Sequence, residues 1–125
     1  MIILASTSDL IRVITSHAAQ IECHASWVDL NGTTVTPGRT NTLITTAAST
    51  TVVGSPTAST VRNLKHLNIT NDHASQSCSV TVEHSDGTTI IELMQFVLLP
   101  GENMILNEEG RWAHRDAQGA EYPPA

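Results

Sequence analysis

Apolar and polar residues alternate most clearly between Ser77 and Leu106. The first part of this stretch has the period of a strand with one face on a core and the other in water. Its inward residues are Cys78, Val80 and Val82, and its outward residues are Ser79, Thr81 and Glu83. From Ile90 to Leu99 both faces are largely apolar. We therefore expect this second strand to be covered on both sides, by the domain core and by something else.

Two turn signals connect these strands. Asp86-Gly87 predicts a tight hairpin, because Gly accepts a positive φ and Asp can hydrogen-bond its own backbone. Pro100-Gly101 fits the two central positions of a type II turn, after which a third strand is expected from Asn103 to Asn107. The pattern thus predicts a three-stranded antiparallel meander around which the other strands are arranged.

The chain before the meander predicts further strands. The stretch from Leu10 to Thr15 fits either a helical turn or a strand, and its β-branched content favours a strand. A clear alternation marks a strand from Ala18 to Leu30, although Val28 and Leu30 make its outer face apolar near the end. Asn31-Gly32 then predicts a second hairpin.

Shorter strands are expected in the Thr-rich region at Thr40 to Thr46 and Thr50 to Val53. A long strand follows from Val61 to Thr70, with a bulge near Asn63 to bring Val61 and Leu64 to the core. A last short strand is expected from Arg111 to His114.

These elements predict one all-β domain, an antiparallel β-sandwich of about eight strands that is jelly-roll-like, with extended termini. We expect an N-terminal arm over residues 1–8, the sandwich over 9–114 and a C-terminal tail over 115–125. Charged residues are 14% of the 125 and aromatic residues only 3%, which indicates a thin aliphatic core. Part of the stability is therefore expected to come from association with copies of the chain or with a partner.

The net charge of −6 and the scattered basic residues argue against nucleic acid as a partner. No apolar run reaches the length of a membrane span or a signal sequence, so we expect synthesis in a cytosol and no membrane partner. In a reducing compartment Cys23 and Cys78 are expected to be buried thiols, with a disulfide as the alternative.

No motif for catalysis stands out. Ser, His and Asp are plentiful, but a G-x-S-x-G elbow, a phosphate loop and a paired-carboxylate signature are absent from the sequence. The six histidines show no metal-binding spacing, and solvated surface histidine is the favoured interpretation, with a site assembled only in three dimensions as the alternative. We expect neither enzyme activity nor a cofactor nor a metal.

The candidate functional residues are therefore those of an interface. Trp112 and Tyr122 lie beyond the last clear strand and are candidate anchors. The apolar segment Ile2, Ile3 and Leu4 is expected either to reach across to a neighbour or to be an edge strand of the same domain. The remaining candidates come from the strand with two apolar faces and are Ile90, Met94, Phe96 and Leu98.

The order of these motifs resembles that of small virion structural proteins of tailed bacteriophages. The likeness is carried by ITTAASTTVVGSPTASTVRNLKHLNIT, by the V-T-V hairpin at Val80 and by the L-x-P-G-E at Leu98. The segments LASTSDLIRVITS and HASWVDLNGTTVTPGRTNT resemble the same group. The resemblance implies a sandwich that coats the phage head as a decoration or cement protein and binds the major capsid protein, or else an adaptor in the tail or fibre. A homo-oligomer is expected on the virion, with a trimer favoured, and an enzyme or lectin is the third class.

Overall fold

A computed structural model describes residues 1–122, which form ten β-strands and no helix. The strands are β1 (Ile2–Leu4), β2 (Leu10–Thr15), β3 (Ile21–Asn31), β4 (Thr34–Ile44), β5 (Ser49–Val53), β6 (Val61–Asn71), β7 (Cys78–Ser85), β8 (Ile90–Leu98), β9 (Asn103–Leu106) and β10 (Trp112–Arg115). All pairings between them are antiparallel. The expected all-β class is confirmed.

Two sheets pack against each other and enclose one apolar core. The larger has the order β10-β9-β6-β3-β4, with β1 also paired to β6, and the smaller has the order β5-β2-β7-β8. The core is aliphatic, as the composition indicates, and its largest fully buried side chains include Leu4, Ile11, Ile21, Leu64, Leu67, Ile69, Leu98 and Leu106. The β-sandwich prediction is therefore confirmed.

The predicted meander is correct for two of its three strands. β7 and β8 form the expected hairpin, and the Pro100-Gly101 turn has the expected bond from the Glu102 amide to the Leu99 carbonyl, with Gly101 at φ 85°. However, β9 leaves β8 and pairs with β6 and β10 in the other sheet. The physical reason is Asn71 at the end of β6, whose backbone exchanges hydrogen bonds with Gly101 and Glu102.

The two predicted hairpin turns are present, but their loops include residues other than the predicted pairs. The loop between β7 and β8 spans residues 86–89, and Asp86 Oδ1 accepts from the amides of Thr88 and Thr89. The loop between β3 and β4 has Gly32 and Thr33 at its centre, with Gly32 at φ 59°.

The expected bulge in β6 is present but lies two residues later than predicted. The register shifts so that Ser26 faces His66 while Trp27 faces Leu64, which leaves Lys65 as the extra residue. This brings Leu64 to the core, whereas Val61 remains half-buried.

The Thr-rich region forms a longer strand than predicted, because β4 runs through Pro37 and Gly38. A proline is tolerated there since β4 is an edge strand. Gly38 faces Trp27 across the strand pair, and a Cβ at Gly38 would come within 2.5 Å of the Trp27 indole nitrogen. The indole therefore packs directly on the backbone of β4.

Both ends of the described chain are attached to the domain. β1 pairs with β6, and Leu4 is fully buried, so the edge-strand interpretation holds for residues 2–4 rather than a free arm. Residues 116–122 turn back on β10 instead of extending as a tail, with the Tyr122 amide donating to the His114 carbonyl. Pro123 and Pro124, part of that expected tail, lie outside the described residues.

The two cysteines are free and buried in the core. Burial raises the pKa of the Cys23 thiol to about 12, which keeps it protonated and unreactive. Within residues 1–122 no helix could cross a membrane.

Candidate interaction surfaces

The clearest candidate surface is the edge formed by β8. Among the described residues β8 pairs only with β7, so one side of its nine-residue backbone has no strand beside it. Natural sheets protect such edges with short strands, Lys, Pro or bulges. The other edge strands follow this rule, because β4 contains Pro37 and β5 has only five residues.

Protection of β8 is confined to its beginning. Glu92 lies there, and a register shift between Val82 and Glu83 of β7 makes Leu93 an extra, bulged residue. From Met94 to Leu98 the strand has neither a charge nor a proline. This second half of β8 is therefore able to pair with another extended chain.

The structure separates the predicted β8 interface residues into two sets. Met94, Phe96 and Leu98 face inward, and Leu98 is completely buried in the core, so it cannot contact a partner directly. Leu4 was also a predicted interface residue, but β1 places it inside the sandwich, where it cannot contact a partner directly. Ile90 is half exposed as expected. The residues of this strand region that sequence reasoning missed are exposed and apolar: Ile91, Val97 and Leu99.

A cleft beneath the β8 edge joins three of the predicted residues. Met94 of β8, Trp112 of β10 and Tyr122 line an open cavity of about 300 Å³ between the two sheets. Its other lining residues are Met104, Arg111, His114 and Glu121. Methionine adapts its shape to apolar groups, so this cleft suits an apolar side chain presented by a strand alongside β8.

One wall of the cleft is held by a carboxylate cluster that the sequence did not reveal. Glu102 is 3% exposed, and Oε1 accepts from the Leu99 amide at 2.9 Å and lies 3.0 Å from His114 Nε2. Tyr122 donates its hydroxyl hydrogen to the other oxygen, and its ring packs against the His114 ring at an interplanar angle of 44°, with centroids 4.4 Å apart. The cluster therefore fastens the returning C-terminal segment to the sandwich.

The electrostatics of this cluster follow from its burial and its donors. Burial alone would raise the pKa of Glu102, but the hydrogen bonds from Tyr122, the Leu99 amide and His114 together outweigh burial and lower it. The pKa of Tyr122 is raised, because its hydroxyl donates to the Glu102 carboxylate. At neutral pH the cluster thus contains an ionised Glu102 and a protonated Tyr122.

A second apolar surface lies on the outer face of the larger sheet, whereas β8 belongs to the smaller sheet. Two rows of paired residues cross it, one from Ile3 through Asn63 and Val28 to Pro37 and one from Val61 through Leu30 to Val35. Val35 is 61% exposed, and Ile3 and Leu30 are each 43% exposed. We call this surface the outer apolar patch: Ile3, Val28, Leu30, Val35, Pro37 and Val61.

The sequence contained part of this signal. The sequence predicts that Val28 and Leu30 make the outer face of their strand apolar near its end, and Ile3 is one of the candidate interface residues. The pairing that places them side by side depends on β1 and β6, which are distant in sequence.

In the described region no three His, Cys, Asp or Glu residues lie where they could hold one metal ion together. His84 lies 3.9 Å from a carboxylate oxygen of Asp9, and His73 accepts backbone hydrogen bonds in a turn. His24 and His66 do lie close together on the larger sheet.

Comparisons with known proteins found no match, so a function can be proposed only from the sequence and from these surfaces. No family model, no curated protein and no solved structure matches the chain.

Proposed function

We propose that this chain is a non-enzymatic structural protein of a tailed-bacteriophage virion, a decoration or cement protein that binds and stabilises the assembled head. The proposal rests on the order of motifs that resembles such proteins and on one structural observation. That observation is the apolar edge of β8, which has no neighbouring strand within residues 1–122. Such an edge can pair with a neighbouring chain in an assembly, and in a free monomer it promotes aggregation.

The mode of binding that fits the edge is strand addition. An extended segment from the major capsid protein or from a neighbouring copy would pair with the backbone of residues 94–98. Its alternate side chains would then point to the Met94 and Trp112 cleft on one side and to Val97 and Leu99 on the other. Backbone hydrogen bonds would supply affinity, and the cleft would select an apolar side chain.

The outer apolar patch supports a bridging role. It is on the larger sheet, whereas β8 is an edge of the smaller one, so one molecule has two separate surfaces for two neighbours. A protein that cements a lattice needs such a pair of surfaces. We further propose that copies of the chain associate with one another on the head, with a trimer as the favoured form.

The role of β8 is tested by placing a lysine at Val97; because this side chain is 53% exposed, the charge is expected to leave the free domain folded. V97K is expected to abolish binding to heads that lack the protein, measured by co-sedimentation. The matched control is T51K, on β5 at the opposite edge of the same sheet. Equal head binding by V97K and T51K would refute strand addition at β8.

The virion assignment is tested by copy number and position in a reconstruction of the particle. A head decoration protein is expected in hundreds of copies on the head surface. A few copies at the tail would establish the alternative of a tail or fibre adaptor, and absence from the particle would overturn both.

A further inference from the structure

Two histidines that are far apart in sequence are neighbours on the outer face of the larger sheet. His24 of β3 pairs with Asn68, and His66 of β6 pairs with Ser26, so the two imidazoles are diagonal neighbours on adjacent strands. Their ring centroids are 6.3 Å apart and their planes are inclined by 58°. Both side chains are partly exposed, which gives an ion in solution access to them.

A hydrogen bond fixes the orientation of one of these rings. His24 Nδ1 lies 2.6 Å from Asn41 Oδ1, and a carbonyl oxygen can only accept. The Nδ1 atom therefore carries the hydrogen, and Nε2 keeps its lone pair. Metal-binding histidines are usually oriented by such an acceptor on the other ring nitrogen.

We propose that His24 and His66 form a binding site for a divalent transition cation of the Zn²⁺ or Ni²⁺ class, for which imidazole is a suitable ligand. Two imidazoles on one tetrahedral ion, with metal–nitrogen bonds of about 2.0–2.1 Å, place their centroids about 5 Å apart. The rings must therefore approach by about 1 Å, which rotation of two partly exposed side chains provides without moving the sheet.

The surroundings of His24 leave room for the remaining ligands. An open cavity of about 370 Å³ adjoins His24 and is also lined by Glu22, Asn41, Asn68 and Thr70. Because the described residues bring no third His, Cys, Asp or Glu to the ion, water fills its other positions. A cation site at these two histidines does not depend on the proposed virion role.

The test is isothermal titration of the purified chain with ZnCl₂. One saturable site is expected, and both H24Q and H66Q are expected to weaken it by more than about tenfold, since each removes one of two protein ligands. H17Q is the matched control, because His17 is exposed and lies outside the pair. Titration with MgCl₂ is expected to show no binding at this site, because Mg²⁺ prefers oxygen ligands.

The orienting role of Asn41 gives a second measurement. N41L is expected to weaken Zn²⁺ binding about tenfold, whereas N41D, which keeps an acceptor for the Nδ1 hydrogen, is expected to retain it. Far-UV circular dichroism verifies that each variant is folded. Absence of saturable Zn²⁺ binding, or equal binding by wild type, H24Q and H66Q, would overturn the proposal.

Discussion

Replacing Glu102 by alanine is expected to destabilise the domain substantially, because this buried carboxylate accepts hydrogen bonds from three groups. The substitution leaves the Leu99 amide, His114 and Tyr122 without the acceptor that they share. Hydrogen bonds to charged groups contribute about 1.5–3 kcal/mol each, and a buried donor left without a partner costs about 1–3 kcal/mol. Since part of the cluster is accessible to water, we expect a loss of about 2–4 kcal/mol, a large share of the roughly 5–15 kcal/mol typical of a domain.

The assay is equilibrium unfolding in urea at pH 7, followed by tryptophan fluorescence. Trp112 lines the same cleft as His114 and Tyr122, so its emission reports on the cluster, while Trp27 on β3 reports on the part of the larger sheet next to its edge strand β4. In a variant that is folded and unfolds in two states, the emission of Trp112 and of Trp27 should change in the same transition. The free energy of unfolding is then compared between wild type and E102A.

The matched control is E108A. Glu108 also accepts a hydrogen bond, from Lys65 at 3.2 Å, but its side chain is 71% exposed. Exposed ion pairs contribute only about 0–1 kcal/mol, so E108A should be close to wild type. If E102A costs no more than E108A, the cluster does not fasten the C-terminal segment and our interpretation of that wall of the cleft fails.

Four further outcomes are expected. Because the folded-state pKa of Glu102 is lowered, its contribution to stability is present above the unfolded-state pKa near 4.5 and is lost as pH falls through the folded-state value; urea unfolding from pH 7 to pH 3 should show a smaller decline for E102Q than for wild type, and equal declines would contradict this. L4A should cost about 2–5 kcal/mol in the same assay because Leu4 is fully buried, whereas I3A on the exposed side of β1 should stay within about 0.5 kcal/mol; similar losses would mean that β1 is not docked. V80D should prevent folding, as judged by circular dichroism, because Val80 is completely buried and an unpaired buried charge costs several kcal/mol; a folded V80D would disprove the register of β7. V97K, unlike wild type, should remain monomeric in sedimentation velocity if β8 also joins copies of the chain, and a wild type that is already monomeric would remove that part of the proposal.

Local chemistry explains which parts of the fold could be predicted. The period of β7, the Asp86-Gly87 loop and the Pro100-Gly101 turn depend on residues close in sequence, and each is present in the structure. The partner of β9 depends on Asn71, which is about thirty residues earlier and gives no signal in the pattern. Turn chemistry thus predicts that a chain reverses, but not which sheet it joins.

The candidate surfaces show the same division. The sequence predicts a strand between Ile90 and Leu99. Because both faces of this strand are largely apolar, the sequence pattern does not show which face the core covers. The core takes Leu98, and the solvent side is left with Val97 and Leu99. The Glu102 cluster could not be predicted, because Glu102 and Tyr122 meet only after the chain after β10 turns back.

Strand addition at β8 is tested most directly by a near-atomic reconstruction of the virion that contains this chain. Strand addition predicts a further strand about 4.7–4.9 Å from the free side of β8, the spacing of neighbouring strands in a sheet. It also predicts an apolar side chain of that strand in the cleft between Met94 and Trp112. A virion in which residues 94–98 of every copy face only solvent would refute strand addition at β8.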